Sequence, residues 1–170
     1  MPEEQPNNAI ISDTSCLIAL ANIDKLHLLQ KIYYNIFITP EVAKEYKKDL
    51  PNWIFVKDVK HKELTAKILK SGLHEGESSS IALAIETKNS TLIIDEKQAR
   101  NHALKLGLNI TGTVSIIAKA YDKGFIDNYD SVYNELRKTN FRFSQETQDK
   151  AIINLSLDSN KLIKHKSRHR

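Results

Sequence analysis

Short apolar segments alternate with longer segments of helical periodicity along this chain. The apolar segments lie at about residues 9–12, 36–38, 54–56, 91–94 and 108–110. Apolar positions at three- and four-residue spacing predict helices over about 14–32 (two short ones), 40–46, 62–69, 74–85, 96–106, 114–121, 129–138 and 144–155. Strands that alternate with helices form parallel sheets with right-handed crossovers. We therefore expect an α/β fold, a three-layer sandwich with a central parallel sheet of about five strands.

The composition is that of a globular domain. The 170 residues are 41% hydrophobic and include only five glycines and four prolines, which is enough apolar sequence for a full core. No apolar run approaches the roughly eighteen residues that a membrane span needs, and the N-terminus is acidic and polar. We therefore expect a cytoplasmic protein without a membrane anchor. The single cysteine, Cys16, is expected in the core, because one thiol cannot build a disulfide framework or a cysteine zinc site.

The formal net charge of +4 comes from the C-terminal end of the chain. Residues 161–170 carry five lysines and arginines and no acid, so the rest of the chain has a net charge of −1. The basic tail could bind RNA phosphates or simply remain solvated. The expected organisation is a disordered N-terminus at 1–8, a main domain at 9–126, helices packed on that domain at 127–156, and the basic tail at 157–170.

Two predicted strands run directly into an aspartate and then into a predicted helix. Asp13 follows the first strand and Asp95 follows the fourth. If these strands are parallel neighbours, both carboxylates emerge at the sheet edge where parallel α/β folds bind ligands. At about 5 Å and an effective dielectric of about 20, the two charges repel by about 3 kcal/mol, which favours a bound cation or a raised pKa. Asp13 could alternatively serve only as a helix cap.

Two glutamates are expected at the same end of the sheet. Glu77 lies in the first turn of its predicted helix, and Glu45 lies one turn into another. Alone, Glu45 could be a solvated residue and Glu77 could merely complement the helix dipole. Together with Asp13 and Asp95 they form a set of hard oxygen ligands that suits Mg²⁺ or Mn²⁺.

The segments that contain these acids resemble the PIN-domain nucleases, and within them the PIN-like proteins related to VapC-type toxins. The resemblance covers about residues 9–126. It rests on the order and spacing of the segments 11–15, 38–45, 76–77 with 81–84, 94–96 with 99–100, and 112–113 with 124–126. It implies a metal-dependent endoribonuclease that acts on RNA, with a small antitoxin protein and a second copy of the chain as partners.

The resemblance also implies roles for individual residues. The ligands of one or two divalent ions, direct or through water, would be Asp13, Glu45, Glu77 and Asp95. Thr113 or Thr111 would orient a metal-bound water. Glu41 competes with Glu45 for the second ligand position, Glu96 could replace or assist Asp95, and Thr14 is a further candidate beside Asp13.

Other functional classes fit the sequence less well. An aspartyl-phosphatase needs a second carboxylate two residues after the first, where this chain has Ser15, and the chain contains no glycine-rich phosphate loop. Two alternatives remain open: a non-catalytic PIN-like module that binds RNA or a partner, and a housekeeping RNA-processing nuclease.

Overall fold

The computed structural model describes the backbone of residues 8–167 and the side chains of residues 8–157. The chain divides into two compact units, the first ending at Thr113 and the second beginning at Val114. The described part excludes residues 1–7, which were predicted to be unstructured. It also excludes the side chains of residues 158–170, which belong to the predicted basic tail. Asn8, also assigned to the unstructured end, donates a hydrogen bond from Nδ2 to Thr91 Oγ1 at 2.7 Å.

The first unit contains a sheet of five parallel strands. The strands are β1 (Ala9–Ser12), β2 (Ile36–Ile38), β3 (Ile54–Val56), β4 (Ser90–Ile93) and β5 (Asn109–Thr111), in the order β3-β2-β1-β4-β5. The helices between them are α1 (Thr14–Asn22), α2 (His27–Tyr33), α3 (Pro40–Tyr46), α4 (Lys62–Leu69), α5 (Glu75–Glu86) and α6 (Lys97–Lys105). The helix α7 (Thr113–Asp122) begins at the end of this unit, and α8 (Tyr129–Arg137) and α9 (Gln145–Ser167) follow in the second unit.

The sheet is the middle layer of a three-layer sandwich. On one face, Ile11, Leu92 and the partly buried Phe37 belong to an apolar cluster with residues of α4, α5 and α6. Because side chains alternate along a strand, neighbours such as Ile10 and Ile93 turn to the opposite face, where α2 packs on β2. The predicted fold class is therefore confirmed.

The pairing of β1 with β4 determines where the two aspartates emerge. The two strands are parallel neighbours, with Ser12 opposite Ile93, and the Asp13 N–H donates to the Ile93 carbonyl at 3.0 Å. Asp13 and Asp95 therefore both follow the carboxyl ends of adjacent strands, as the sequence predicted.

Most predicted boundaries agree with the structure to within one or two residues. The fifth strand begins at Asn109 instead of 108, because the Leu108 N–H donates to the Ala103 carbonyl and so completes the end of α6. The prediction that the last helix ends near 155 is wrong, since α9 continues to Ser167. No glycine or proline follows Gly124 in the sequence, so no helix-breaking residue stops it.

Hydrogen bonds of two buried side chains, Gln148 and Tyr133, connect elements of the second unit. Gln148 of α9 accepts a hydrogen bond from Arg137 (2.6 Å) and donates one to Asp130 of α8 (2.9 Å). The fully buried Tyr133 donates from its hydroxyl to the Val114 carbonyl at 2.8 Å. Between residues 8 and 167, no helix has the length and apolar character of a membrane span.

Candidate active site

Asp13 is a buried helix cap, and one of its carboxylate oxygens has no hydrogen-bond partner among the described residues. It is the N-cap of α1, where its Oδ1 accepts a hydrogen bond from the Ser15 N–H at 2.8 Å. Its Oδ2 is shielded from solvent and has no hydrogen-bond partner among the described residues, although the residue is only 1% exposed. Burial raises the pKa of Asp13 well above its usual value, and the charges of Asp95 and Glu77 raise it further, whereas the backbone N–H groups of Ser15 and Cys16 oppose that rise. The capping interpretation is therefore correct but incomplete, because it leaves Oδ2 unexplained.

Asp95 is held by the first residue of α7. Its Oδ1 accepts from the Thr113 N–H at 2.8 Å, and its Oδ2 accepts from the Thr113 hydroxyl at 2.7 Å. Burial raises the pKa of Asp95, whereas the two hydrogen bonds from Thr113 and the charge of Arg100 oppose that rise. Thr111, the alternative to Thr113, accepts with its backbone carbonyl from the Ile94 N–H and from Arg100. Of these two threonines, Thr113 is the one whose side chain contacts Asp95.

The Arg100 side chain fixes the backbone next to Asp95. Its Nη1 donates to the carbonyl of Ile94 at 2.7 Å, directly before Asp95 in the chain. Gly112 lies against the same two side chains, since an added Cβ would be 2.9 Å from Asp95 Oδ1 and 3.0 Å from Arg100 Nη1. The absence of a side chain at Gly112 therefore allows Asp95 and Arg100 to pack beside the end of β5.

Glu45 is held from two sides by neighbouring elements. Its Oε1 accepts from the Gly76 N–H at 2.9 Å, and its Oε2 accepts from the Thr14 hydroxyl at 2.5 Å. A Cβ at position 76 would lie 2.4 Å from Glu45 Oε2, so only glycine permits this approach. The glutamate on α3 is thereby fixed to the N-terminal residues of both α1 and α5.

Glu77 combines a structural role with a place in the site. Its Oε2 accepts from the backbone N–H of His74 at 3.0 Å, which satisfies one of the unpaired donors at the start of α5. It is 9% exposed, and its charge is close enough to raise the pKa of Asp13.

Three of the four predicted ligands line a common cavity of about 460 Å³. Its lining consists of Asp13, Thr14, Ser15, Glu45, His74, Glu75 and Glu77. Asp95 does not line this cavity, although its charge acts on Asp13. Sequence reasoning did not single out His74 or Glu75 as lining residues; their position directly before Gly76-Glu77 was the available signal.

The two competing acids take other positions. Glu96 is the N-cap of α6, where its Oε2 accepts from the Ala99 N–H at 2.9 Å, and it lines a separate surface depression. Glu41 lies one helical turn before Glu45 and lines a different cavity. Among these candidates, the structure therefore brings Glu45 and not Glu41 to Asp13, and assigns helix capping to Glu96.

The donor set suits a hydrated divalent cation. In the described part of the chain, no three histidine, cysteine, aspartate or glutamate side chains surround a common point closely enough to bind an ion without further ligands. Mg²⁺ usually keeps several waters and binds only one or two carboxylates directly, so a tight protein cage is not required. Asp13 Oδ2 has no hydrogen-bond partner among the described residues and lies near the charges of Asp95 and Glu77, so it is a carboxylate oxygen that such a cation could bind directly.

The fold and the acidic site together define a PIN-like domain, and a comparison with family models agrees. The family model DUF3368, described as a PIN domain, matches residues 9–156. The chain belongs to this PIN-domain family, whose members are nuclease-type hydrolases. No curated protein and no solved structure matches the chain significantly.

Proposed function

We propose that this PIN domain is a Mg²⁺- or Mn²⁺-dependent endoribonuclease of the cytoplasm and the toxin of a toxin–antitoxin pair. The observation that carries the metal assignment is Asp13 Oδ2, a buried carboxylate oxygen without a partner beside two further acids. An unpaired buried charge is strongly unfavourable in a protein interior. A cation that pairs with the Asp13 carboxylate would therefore explain why three acids are placed together here.

The bound cation would supply Lewis-acid activation of water and neutralise charge on the scissile phosphate. The chain's own residues position that chemistry. Thr113 donates to both oxygens of Asp95 and so fixes its orientation. Thr14 and Gly76 do the same for Glu45. No side-chain nucleophile is needed, because phosphodiester hydrolysis can proceed by direct attack of water.

The assignment to RNA and to a toxin is supported by the resemblance to VapC-type proteins. In that arrangement a small antitoxin blocks the active site, and two copies of the toxin form a dimer. A small reading frame next to the gene would support the toxin role over a housekeeping RNA-processing nuclease. Light scattering tests the dimer, and a strict monomer at high concentration would contradict it.

The test of the catalytic proposal is cleavage of a structured RNA in Mn²⁺ by the wild type and by the Asp95→Asn variant. We expect the wild type to cut the RNA in Mn²⁺ and not in chelator, and Asp95→Asn to lose cleavage by orders of magnitude. In chelator the variant should melt at the parent temperature or slightly above it, because burial disfavours the charged form of Asp95.

The neighbouring acid provides a matched control. Glu96→Gln removes one charge at the next position, from a residue that caps α6 and whose charge, unlike that of Asp95, is not among those that raise the pKa of Asp13. It should cleave at close to the parent rate. If Asp95→Asn keeps full cleavage, the catalytic assignment of Asp95 fails. If the wild type cuts no RNA in either metal, the nuclease proposal fails and the non-catalytic binding module becomes the better interpretation.

A further inference from the structure

A second cavity adjoins the acidic one along the same helix. It has a volume of about 480 Å³ and lies between α3 and α4, where it is lined by Pro40, Glu41, Lys44, Lys62, Thr65, Ala66, Leu69 and Glu75. Glu75 lines both cavities. Glu41 and Glu45 are one helical turn apart on α3, which places them about 6 Å apart along one face. The second cavity is therefore next to the site where a phosphodiester would be cut.

Two polar atoms of residues that line this second cavity have no hydrogen-bond partner among the described residues. Glu41 Oε2 and Thr65 Oγ1 are shielded from solvent and form no hydrogen bond within the described residues. They come from different helices, α3 and α4, and both helices contribute to the lining of the cavity. Because buried polar atoms are normally paired, an acceptor and a hydroxyl left unpaired in one cavity indicate a ligand that offers hydrogen-bond donors and acceptors.

The rest of the lining suits a planar ring that carries hydrogen-bonding groups at its edge. Pro40, Ala66 and Leu69 supply apolar surface for a ring, and Leu69 is 39% exposed. Two lysines offset two glutamates, so the cavity carries no formal net charge. Its volume lies within the roughly 300–1,000 Å³ typical of small-molecule sites. Single-stranded RNA is usually recognised by this combination of stacking and hydrogen bonds to base edges.

We propose that this cavity binds a guanine base of the RNA strand next to the cleaved bond, with the Glu41 carboxylate on its Watson–Crick edge. Guanine is the base that presents two adjacent donors there, N1–H and the 2-amino group, which match the two oxygens of a carboxylate. Adenine and cytosine present a donor beside an acceptor, and uracil presents one donor between two acceptors. The inference rests on the proposed RNA substrate and adds a base preference to it.

Binding of short labelled RNAs tests the preference without requiring cleavage. The probes are fluorescein-labelled UUGUU, UUIUU and UUAUU in chelator, measured by fluorescence anisotropy; inosine lacks only the 2-amino group of guanosine. We expect the guanosine RNA to bind the wild type at least fivefold more tightly than the other two. Glu41→Gln should abolish this difference, because the amide turns a donor toward the donors of guanine.

The control variant is Glu63→Gln, which removes a charge from the exposed side of α4 outside the cavity. It should retain the guanosine preference, and thermal melting should show that both variants are folded. Equal binding of the guanosine and inosine RNAs by the wild type would overturn the proposal, as would an unchanged preference in Glu41→Gln. Guanosine-dependent binding without any metal-dependent cleavage would instead reject the nuclease function and still support the guanine-binding site.

Discussion

A single methyl group at Gly76 should disable the site while leaving the fold intact. In Gly76→Ala, the new Cβ would lie 2.4 Å from Glu45 Oε2 and 2.9 Å from both Cδ and Oε1 of the same side chain. Ordinary van der Waals contact begins at 3.4 Å, so the Glu45 carboxylate must move by about 1 Å. A displacement of about 1 Å in a catalytic group can lower a rate by about 10²-fold.

The effect on stability is smaller because two contributions oppose each other. Weakening the hydrogen bond from the Gly76 N–H to the Glu45 carboxylate costs about 1.5–3 kcal/mol. Replacing glycine by alanine in a helix contributes up to about 1 kcal/mol in the other direction. We therefore expect Gly76→Ala to lose about 1–2 kcal/mol of unfolding free energy and about 10²-fold in the rate of RNA cleavage in Mn²⁺.

The Glu45→Ala background tests whether displacement of the Glu45 carboxylate causes both effects of Gly76→Ala. Without the glutamate there is no carboxylate to displace, so adding Gly76→Ala should stabilise the protein by up to about 1 kcal/mol and leave the residual cleavage unchanged. Urea unfolding and initial cleavage rates measure both quantities. Full activity in the single variant Gly76→Ala would refute the reasoning that Gly76 and Glu45 are coupled through this contact.

Two further predictions concern the other acids. Removing the α6 cap by Glu96→Ala should cost about 1 kcal/mol in urea unfolding and leave the cleavage rate unchanged; a large loss of cleavage would place Glu96 in the site. The pKa of Asp13 is raised above 3.8 in the folded state, so above that pH the folded protein binds more protons than the unfolded chain. The unfolding free energy of the metal-free protein therefore falls as the pH rises from about 4 through the folded-state pKa. Asp13→Asn should reduce this pH dependence in thermal melts and be more stable than the parent at neutral pH without metal, and equal pH profiles for the two proteins would contradict the assignment.

Local patterns in the sequence were sufficient to predict the fold. Thr39 and Pro40 were expected to start a helix, and the structure has Thr39 accepting from the Val42 N–H with Pro40 in the first turn of α3. Cys16 was expected in the core and is fully buried. These features depend on neighbouring residues and on apolar periodicity, which a single sequence records directly.

The arrangement of the acids depends on contacts between residues far apart in the chain. The hydrogen bonds from Gly76 and Thr14 to Glu45 each span 31 positions, and those from Thr113 to Asp95 span 18. The choice between Glu41 and Glu45 could not be made from sequence, because both residues lie on the same face of α3. Only the packing of α1 and α5 against the end of α3 distinguishes them.

The cavity beside Glu41 was also beyond sequence reasoning. Its lining comes from α3, from α4 and from Glu75 at the start of α5, and none of these segments carries a binding motif. Two unpartnered oxygens on different helices become visible only once the helices are in place.

Calorimetric titration with Mn²⁺ tests the central claim most directly, because it reports on the acidic site independently of the RNA substrate. We predict that the wild type binds Mn²⁺ at millimolar concentrations or below. Asp13→Asn should lose most of this binding while remaining folded, since asparagine caps a helix about as well as aspartate. Asp149→Asn, which changes an exposed acid of α9, should bind like the parent. Absence of binding to the folded wild type at millimolar Mn²⁺ would contradict the account.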